Sequence, residues 1–178
     1  VGLPFVFIRL AGCNLRCSWC DTPESINSRG IERSIQSIIE EIVSYGLKHV
    51  CITGGEPLLQ TNCIALIKKL VEESFVVTLE TNGSIDISNV PETVHRIVDV
   101  KCPSSQMNHH KVIENLAILR PIDEVKFVIA DRSDYDYSAT VFREYLTDFK
   151  GPVFFSAVTE KLNPQNLAKW VLSDRIPV

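Results

Sequence analysis

The 178-residue chain lacks any run of lysines or arginines, and its formal net charge is −4. A clustered basic patch is the electrostatic footprint of nucleic-acid binding, so no nucleic-acid partner is expected and the direct substrate is expected to be small. No apolar stretch approaches the roughly 20 residues that span a bilayer, and no charged-then-apolar leader opens the chain. The expectation is no membrane partner and a cytoplasmic location. Also missing is the second, closely spaced Cys or His pair that a zinc ribbon needs. Cys51, Cys63 and Cys102 stand alone, and the adjacent His109 and His110 lie in a different kind of segment. Six cysteines would permit three disulfides, but a chain this long buries a core without them, which suits a reducing compartment and one domain over residues 1–178.

What is present is concentrated in one loop. Cys13, Cys17 and Cys20 follow an apolar segment in the run Gly12-Cys13-Asn14-Leu15-Arg16-Cys17-Ser18-Trp19-Cys20-Asp21-Thr22. A four-iron cluster takes four ligands, so a compact set of three thiolates leaves one iron open to a cofactor. Spacings of four and then three residues let one loop wrap such a cluster corner by corner. Zinc completed by a distant residue, or buried free thiols, is the alternative, and the ligand count and spacing favour iron-sulfur.

The rest of the chain alternates strand and helix. Strands are predicted over residues 4–10, 48–53, 75–80, 96–101, 124–129 and 152–157. Helices are predicted over 34–45, 63–73, 111–119 and 137–149, with a last one after Pro164 and a short candidate near Pro91. In the first of these, Ile35, Ile38, Ile39 and Ile42 recur at helical spacing between a Ser34 N-cap and a Gly46 stop. Strands rich in Val and Ile without clean alternation imply a parallel sheet covered by helices. Six strands are too few for an eight-unit barrel, so the expected fold is α/β, a partial, open parallel β/α barrel.

In such barrels chemistry collects at the carboxyl ends of the strands. The cysteine loop follows the first strand, Gly54-Gly55-Glu56-Pro57 the second, Thr81-Asn82-Gly83 the third and Lys101-Cys102-Pro103-Ser104-Ser105 the fourth. Singly, each tip reads as a turn. Glycines also admit a ligand to the backbone, so carbonyl oxygens at the second tip could face a cationic amine. Lys101, ending a buried strand on this rim, is placed to pair with a carboxylate.

The Cys loop with Gly54-Gly55-Glu56-Pro57 resembles the radical S-adenosylmethionine (SAM) superfamily. The likeness extends through Phe7-Ile8-Arg9-Leu10-Ala11-Gly12-Cys13, Cys17-Ser18-Trp19-Cys20-Asp21-Thr22, Ile52-Thr53-Gly54-Gly55-Glu56-Pro57, Glu80-Thr81-Asn82-Gly83 and Asp99-Val100-Lys101-Cys102-Pro103-Ser104-Ser105 to the 7-carboxy-7-deazaguanine synthase family. That resemblance implies conversion of 6-carboxy-5,6,7,8-tetrahydropterin to 7-carboxy-7-deazaguanine with loss of ammonia, a radical ring contraction on the route to queuosine. It implies a [4Fe-4S] cluster on Cys13, Cys17 and Cys20, and SAM contacts from Trp19, Cys20, Asp21, Gly55, Asp99, Val100 and Lys101. It also implies substrate contacts from Arg9 and Thr53, and a magnesium ion at Thr22 that meets the substrate carboxylate. A pterin substrate, a flavodoxin- or ferredoxin-type reductant and a homodimer follow from the same likeness.

The chain departs from the family pattern at its ends. It opens at Val1-Gly2 without the family's glycine-rich Gln-Gly-Glu-Gly stretch and closes at Ile176-Pro177-Val178 without a further strand, so segments are expected to be missing at both ends. The residues bear on two rival functions. An activase that installs a glycyl radical in a partner enzyme needs a groove for a protein segment, whereas Arg9, Thr22 and Thr53 suit a small carboxylated substrate. An iron-sulfur electron carrier normally ligates all its irons with protein.

Overall fold

A computed structural model of the chain describes residues 2–108 and 111–178, so Val1 and the His109-His110 pair lie outside the described residues. In chain order the elements are β1 (Val6–Leu10), α1 (Pro23–Asn27), α2 (Ile35–Ser44), β2 (His49–Gly54), α3 (Cys63–Glu72), β3 (Val76–Thr81), β4 (His95–Val100), α4 (Lys111–Leu116), β5 (Glu124–Ile129), α5 (Arg132–Val141), β6 (Val153–Ala157) and α6 (Pro164–Asp174). The strands form one open sheet in the order β1 to β6, the α/β arrangement expected. Contacts divide the chain into two compact units, one of Val1–Leu15, Cys20–Thr81 and Ile87–Arg96, the other of Arg16–Trp19, Asn82–Asp86 and Ile97–Val178.

In the first unit β1 pairs in parallel with β2 from Val6 opposite Val50 to Leu10 opposite Gly54, and β2 with β3 from His49 opposite Val76 to Ile52 opposite Leu79. The core includes Val50, Cys51 and Ile52 of β2 and Cys63, Leu66, Ile67 and Leu70 of α3, the latter at the i, i+3, i+4, i+7 spacing of one helix face. Each such Leu or Ile contributes about 1.5–3 kcal/mol when withdrawn from water. The Ser34 hydroxyl accepts the Ser37 N–H at 3.1 Å and starts α2, and Gly46 at φ +66° lets the chain turn away after it.

In the second unit β4 and β5 pair in parallel from Ile97 opposite Glu124 to Val100 opposite Phe127, and β5 and β6 from Val125 opposite Val153 to Ile129 opposite Ala157. Val125, Phe127 and Ile129 are fully buried, and Phe127 meets Phe155 edge-on with centroids 5.3 Å apart.

Three expectations need correction. The helix expected over 137–149 begins at Arg132 and ends in a π-helical turn over Phe142–Leu146, because Asp131 accepts the Asp134 N–H at 2.9 Å and nucleates it upstream of the apolar residues. No helix forms near Pro91; the β3 to β4 connection is a run of turns whose Ile87, Val90 and Val94 are buried. The strands are not uniformly buried on both faces, since β4 and β5 alternate between buried and half-buried residues. One face of each is therefore accessible to a ligand. No helix among the described residues is long and apolar enough to cross a membrane.

Candidate functional site

Gly12, at φ +86°, releases the chain from β1 in a conformation that favours glycine, and its N–H donates to the Ser25 carbonyl at 2.7 Å. Leu15 is buried and anchors the loop, its N–H pointing at Cys13 Sγ at 3.4 Å. Cys13, Cys17 and Cys20 are half-buried and the other three cysteines buried, and none of the six is in a disulfide. Cys13 and Cys20 belong to the first unit and Cys17 to the second. Among the described residues no three His, Cys, Asp or Glu side chains converge as ligands of one ion.

The Gly54-Gly55-Glu56-Pro57 tip is a buttress for the first cysteine. A β-carbon on Gly54 would sit 2.0 Å from the Leu10 carbonyl oxygen, and one on Gly55 would sit 2.2 Å from the Gly12 oxygen and 2.7 Å from Cys13 Cβ. Gly55 N–H donates to the Leu10 carbonyl at 3.1 Å and Glu56 N–H to the Gly12 carbonyl at 2.9 Å. Glu56 is fully buried, and its carboxylate accepts the Leu58 N–H at 3.0 Å and the Thr81 hydroxyl at 2.9 Å. The missing β-carbons thus have a packing cause beside the ligand approach expected of them.

Arg9 on β1 stands opposite Thr53 on β2, and the Thr53 hydroxyl donates to Glu80 Oε2 at 3.1 Å. Arg9 and Glu80 are exposed while Thr53 is 8% exposed, so a cation, a hydroxyl and a carboxylate form a row across three strands. Glu80 stands within the Glu80-Thr81-Asn82-Gly83 likeness without an assigned role, and its bond to Thr53 emerges only in the fold.

At the end of β4, Lys101 Nζ lies 2.8 Å from Asp99 Oδ2, the carboxylate pairing expected of it. Asp99 Oδ1 is buried with no partner, an acceptor suited to a ligand's amine or hydroxyl. Lys101 Nζ is 5.8 Å from the Trp19 ring centroid, within cation–π range, and Trp19 Nε1 donates to Ser104 Oγ at 3.1 Å. Val100 is fully buried, which leaves only its backbone for contact. Asp21 is exposed, and Thr22 Oγ1 lies 3.5 Å from Asp21 Oδ1 and 3.9 Å from Cys20 Sγ. Three soft thiols in one loop and an orphaned acceptor on the β4 rim fit a thiolate-bound cluster and a polar organic cofactor.

The remaining thiols are of another kind. Burial, reinforced by Glu80, pushes Cys51 up to about 12; burial with Glu56 does the same to Cys63. Burial likewise takes Cys102 to about 12, against a Ser138 hydrogen bond that lowers it. Native cluster-free protein treated with iodoacetamide at pH 8 is expected to take up label at Cys13, Cys17 and Cys20 only, since the thiolate is the reactive form. Peptide mapping that finds Cys51, Cys63 or Cys102 equally labelled would contradict this.

The sequence profile of the radical SAM superfamily matches residues 7–137. A 7-carboxy-7-deazaguanine synthase of Koribacter versatilis is 39% identical over 193 residues, covering 99% of this chain and 84% of that protein. One from Methanospirillum hungatei is 37% identical over 177 residues, covering 99% of this chain and 73% of that protein. The crystal structure of QueE from Escherichia coli superposes with a TM-score of 0.76 over 98% of this chain and 83% of that one, at 21% identity, a likeness of fold. The chain belongs to the radical SAM superfamily and, within it, to the 7-carboxy-7-deazaguanine synthase family.

Proposed function

We propose that this enzyme converts 6-carboxy-5,6,7,8-tetrahydropterin to 7-carboxy-7-deazaguanine and ammonia, an overall change that balances without a net oxidant. The cofactors of its superfamily are a [4Fe-4S] cluster and SAM. When bound, they supply the 5′-deoxyadenosyl radical that removes a substrate hydrogen. The observation that carries the substrate assignment is the Arg9, Thr53, Glu80 row, which begins four residues before Cys13 on the strand that leads into the cysteine loop.

Cys13, Cys17 and Cys20 hold the cluster through three thiolates. Trp19, Asp21, Gly55, Asp99, Val100 and Lys101 bind SAM, with Asp99 Oδ1 accepting a donor and Lys101 keeping that carboxylate turned inward. The planar fork of Arg9 suits the pterin carboxylate, and Glu80 suits the N–H edge of its aminopyrimidine ring, with Thr53 fixing the Glu80 rotamer. Thr22 contributes one oxygen to a magnesium ion that also takes the substrate carboxylate, a hard cation that commonly keeps several waters. A flavodoxin- or ferredoxin-type protein as electron donor, a homodimeric state and a cytoplasmic location complete the reading, supported by the family likeness.

Anaerobic incubation of the reconstituted protein with SAM, reductant and the pterin is expected to yield 7-carboxy-7-deazaguanine and ammonia in equal amounts. Glu80→Gln is expected to raise KM for the pterin about tenfold, the scale of one charge-assisted hydrogen bond. SAM cleavage without substrate should be unchanged in that variant. SAM cleavage with no deazaguanine formed would overturn the substrate assignment and favour an activase.

A further inference from the structure

We infer that Asp134, acting through Ser104, is a positioning residue for Trp19, the aromatic side chain between the second and third cysteines of the loop. Asp134 lies in the first turn of α5 and is fully buried. Its carboxylate accepts from the Ser104 N–H at 2.8 Å, the Ala130 N–H at 2.9 Å and the Ser104 hydroxyl. A serine hydroxyl carries one hydrogen. With that hydrogen committed to Asp134, the free lone pairs of Ser104 Oγ face outward, and Trp19 Nε1 donates to them at 3.1 Å.

The same short segment is held at two more points. Ser18 Oγ donates to the Ser104 carbonyl at 2.7 Å, and Ser18 N–H donates to the Ser105 carbonyl at 3.2 Å. These bonds fix where the backbone of residues 18 and 19 lies. The indole bond fixes how the ring is turned, because an indole has a single donor and its ring plane follows that donor. Lys101 Nζ over the ring, with its partner Asp99, is then placed against a face whose orientation Ser104 sets. The two bonds of the relay join distant positions: Trp19 and Ser104 are 85 positions apart, Ser104 and Asp134 30. A charged group fully buried in a helix is costly unless paired, and every contact of this carboxylate serves Ser104 or the turn that starts α5.

The consequence for the reaction rests on the reading of Trp19 as a SAM contact. Ser104→Ala deletes the bridge and leaves Asp134 its two backbone donors; Ser104→Thr keeps the hydroxyl. The chain has two tryptophans, so a Trp170→Phe background isolates Trp19 emission. Cluster-free full-length Ser104→Ala is expected to show a shifted Trp19 emission maximum with a circular dichroism spectrum like that of the parent. In the reconstituted protein, SAM affinity by equilibrium binding is expected to fall about tenfold, with iron content unchanged. The SAM-induced change in the reduced cluster's paramagnetic spectrum should need correspondingly more SAM.

Ser104→Thr should restore both readouts, and Trp19→Phe should weaken SAM binding to the same extent. Because the two residues act as one unit, Trp19→Phe with Ser104→Ala should be no weaker than either alone. Asp134→Asn, if it folds, should match Ser104→Ala, and Ser104→Ala carries the test if it does not. Unmoved Trp19 emission in Ser104→Ala, or additive losses in the double variant, would overturn the relay. Moved emission with unchanged SAM affinity in both Ser104→Ala and Trp19→Phe would uphold the relay and overturn Trp19 as a SAM contact.

Discussion

Cys13→Ala, Cys17→Ala and Cys20→Ala proteins, reconstituted anaerobically, should each hold little cluster iron and cleave SAM at least roughly a thousandfold more slowly than the parent. The effect is this large because three thiolates leave a four-iron cluster with one open iron already, and a set of two would leave a second without a protein ligand. Cys51→Ala, Cys63→Ala and Cys102→Ala remove side chains from a packed interior, at about 1 kcal/mol of stability each, and should leave cluster content intact. Iron and sulfide analysis, with the paramagnetic spectrum of the reduced protein with and without SAM, reads both sets. A Cys17→Ala protein with full iron and a normal SAM response would remove Cys17 from the ligand set.

Thr22→Val should lower turnover by about a hundredfold, since small errors in placing a substrate against its reaction partner are that costly. Cluster content and SAM affinity should be retained. Thr22 stands at the N-cap position of α1, yet its hydroxyl caps nothing; Ser25 N–H and Ser25 Oγ both donate to the Thr22 carbonyl instead, at 3.0 and 2.7 Å. A capping hydroxyl is worth about 0.5–2 kcal/mol, so the melting temperature should barely move if the oxygen serves an ion rather than the helix. Product formation followed against magnesium concentration should rise steeply for the parent and flatly for Thr22→Val. Parallel curves would defeat the metal assignment, and a marked fall in melting temperature would return Thr22 to a structural role.

What was legible in the sequence was local. Four isoleucines at helical spacing behind Ser34 specify α2 within a residue or so. The start of α5 was not legible, because Arg132 to Asp136 carries no apolar period; Asp131 supplies the start and a buried tyrosine, Tyr135, is the only apolar anchor in that turn. Helix α1 has five residues, too few for any period to register. The parts of the site that escaped are those whose meaning lies in a distant partner. Glu80 becomes informative only when β3 brings it to Thr53, and Ser104 only when α5 brings Asp134 beneath it. Gly54 and Gly55 read as turn residues until the Leu10 and Gly12 carbonyls are seen where their β-carbons would be.

The division of the cysteines bears on how such an enzyme survives air. Burial pushes the thiols of Cys51, Cys63 and Cys102 up to about 12, so at neutral pH they stay protonated and are poor nucleophiles toward a sulfenic acid or a disulfide formed on the loop. Oxidation is therefore expected to fall first on the half-buried Cys13, Cys17 and Cys20, where sulfenic acids and disulfides are reversible by thiol reductants. The interior does not take part in scrambling. Repair of a cluster held on that loop would then need only re-reduction of its thiols and a rebuilt inorganic core, with the chain neither unfolded nor replaced.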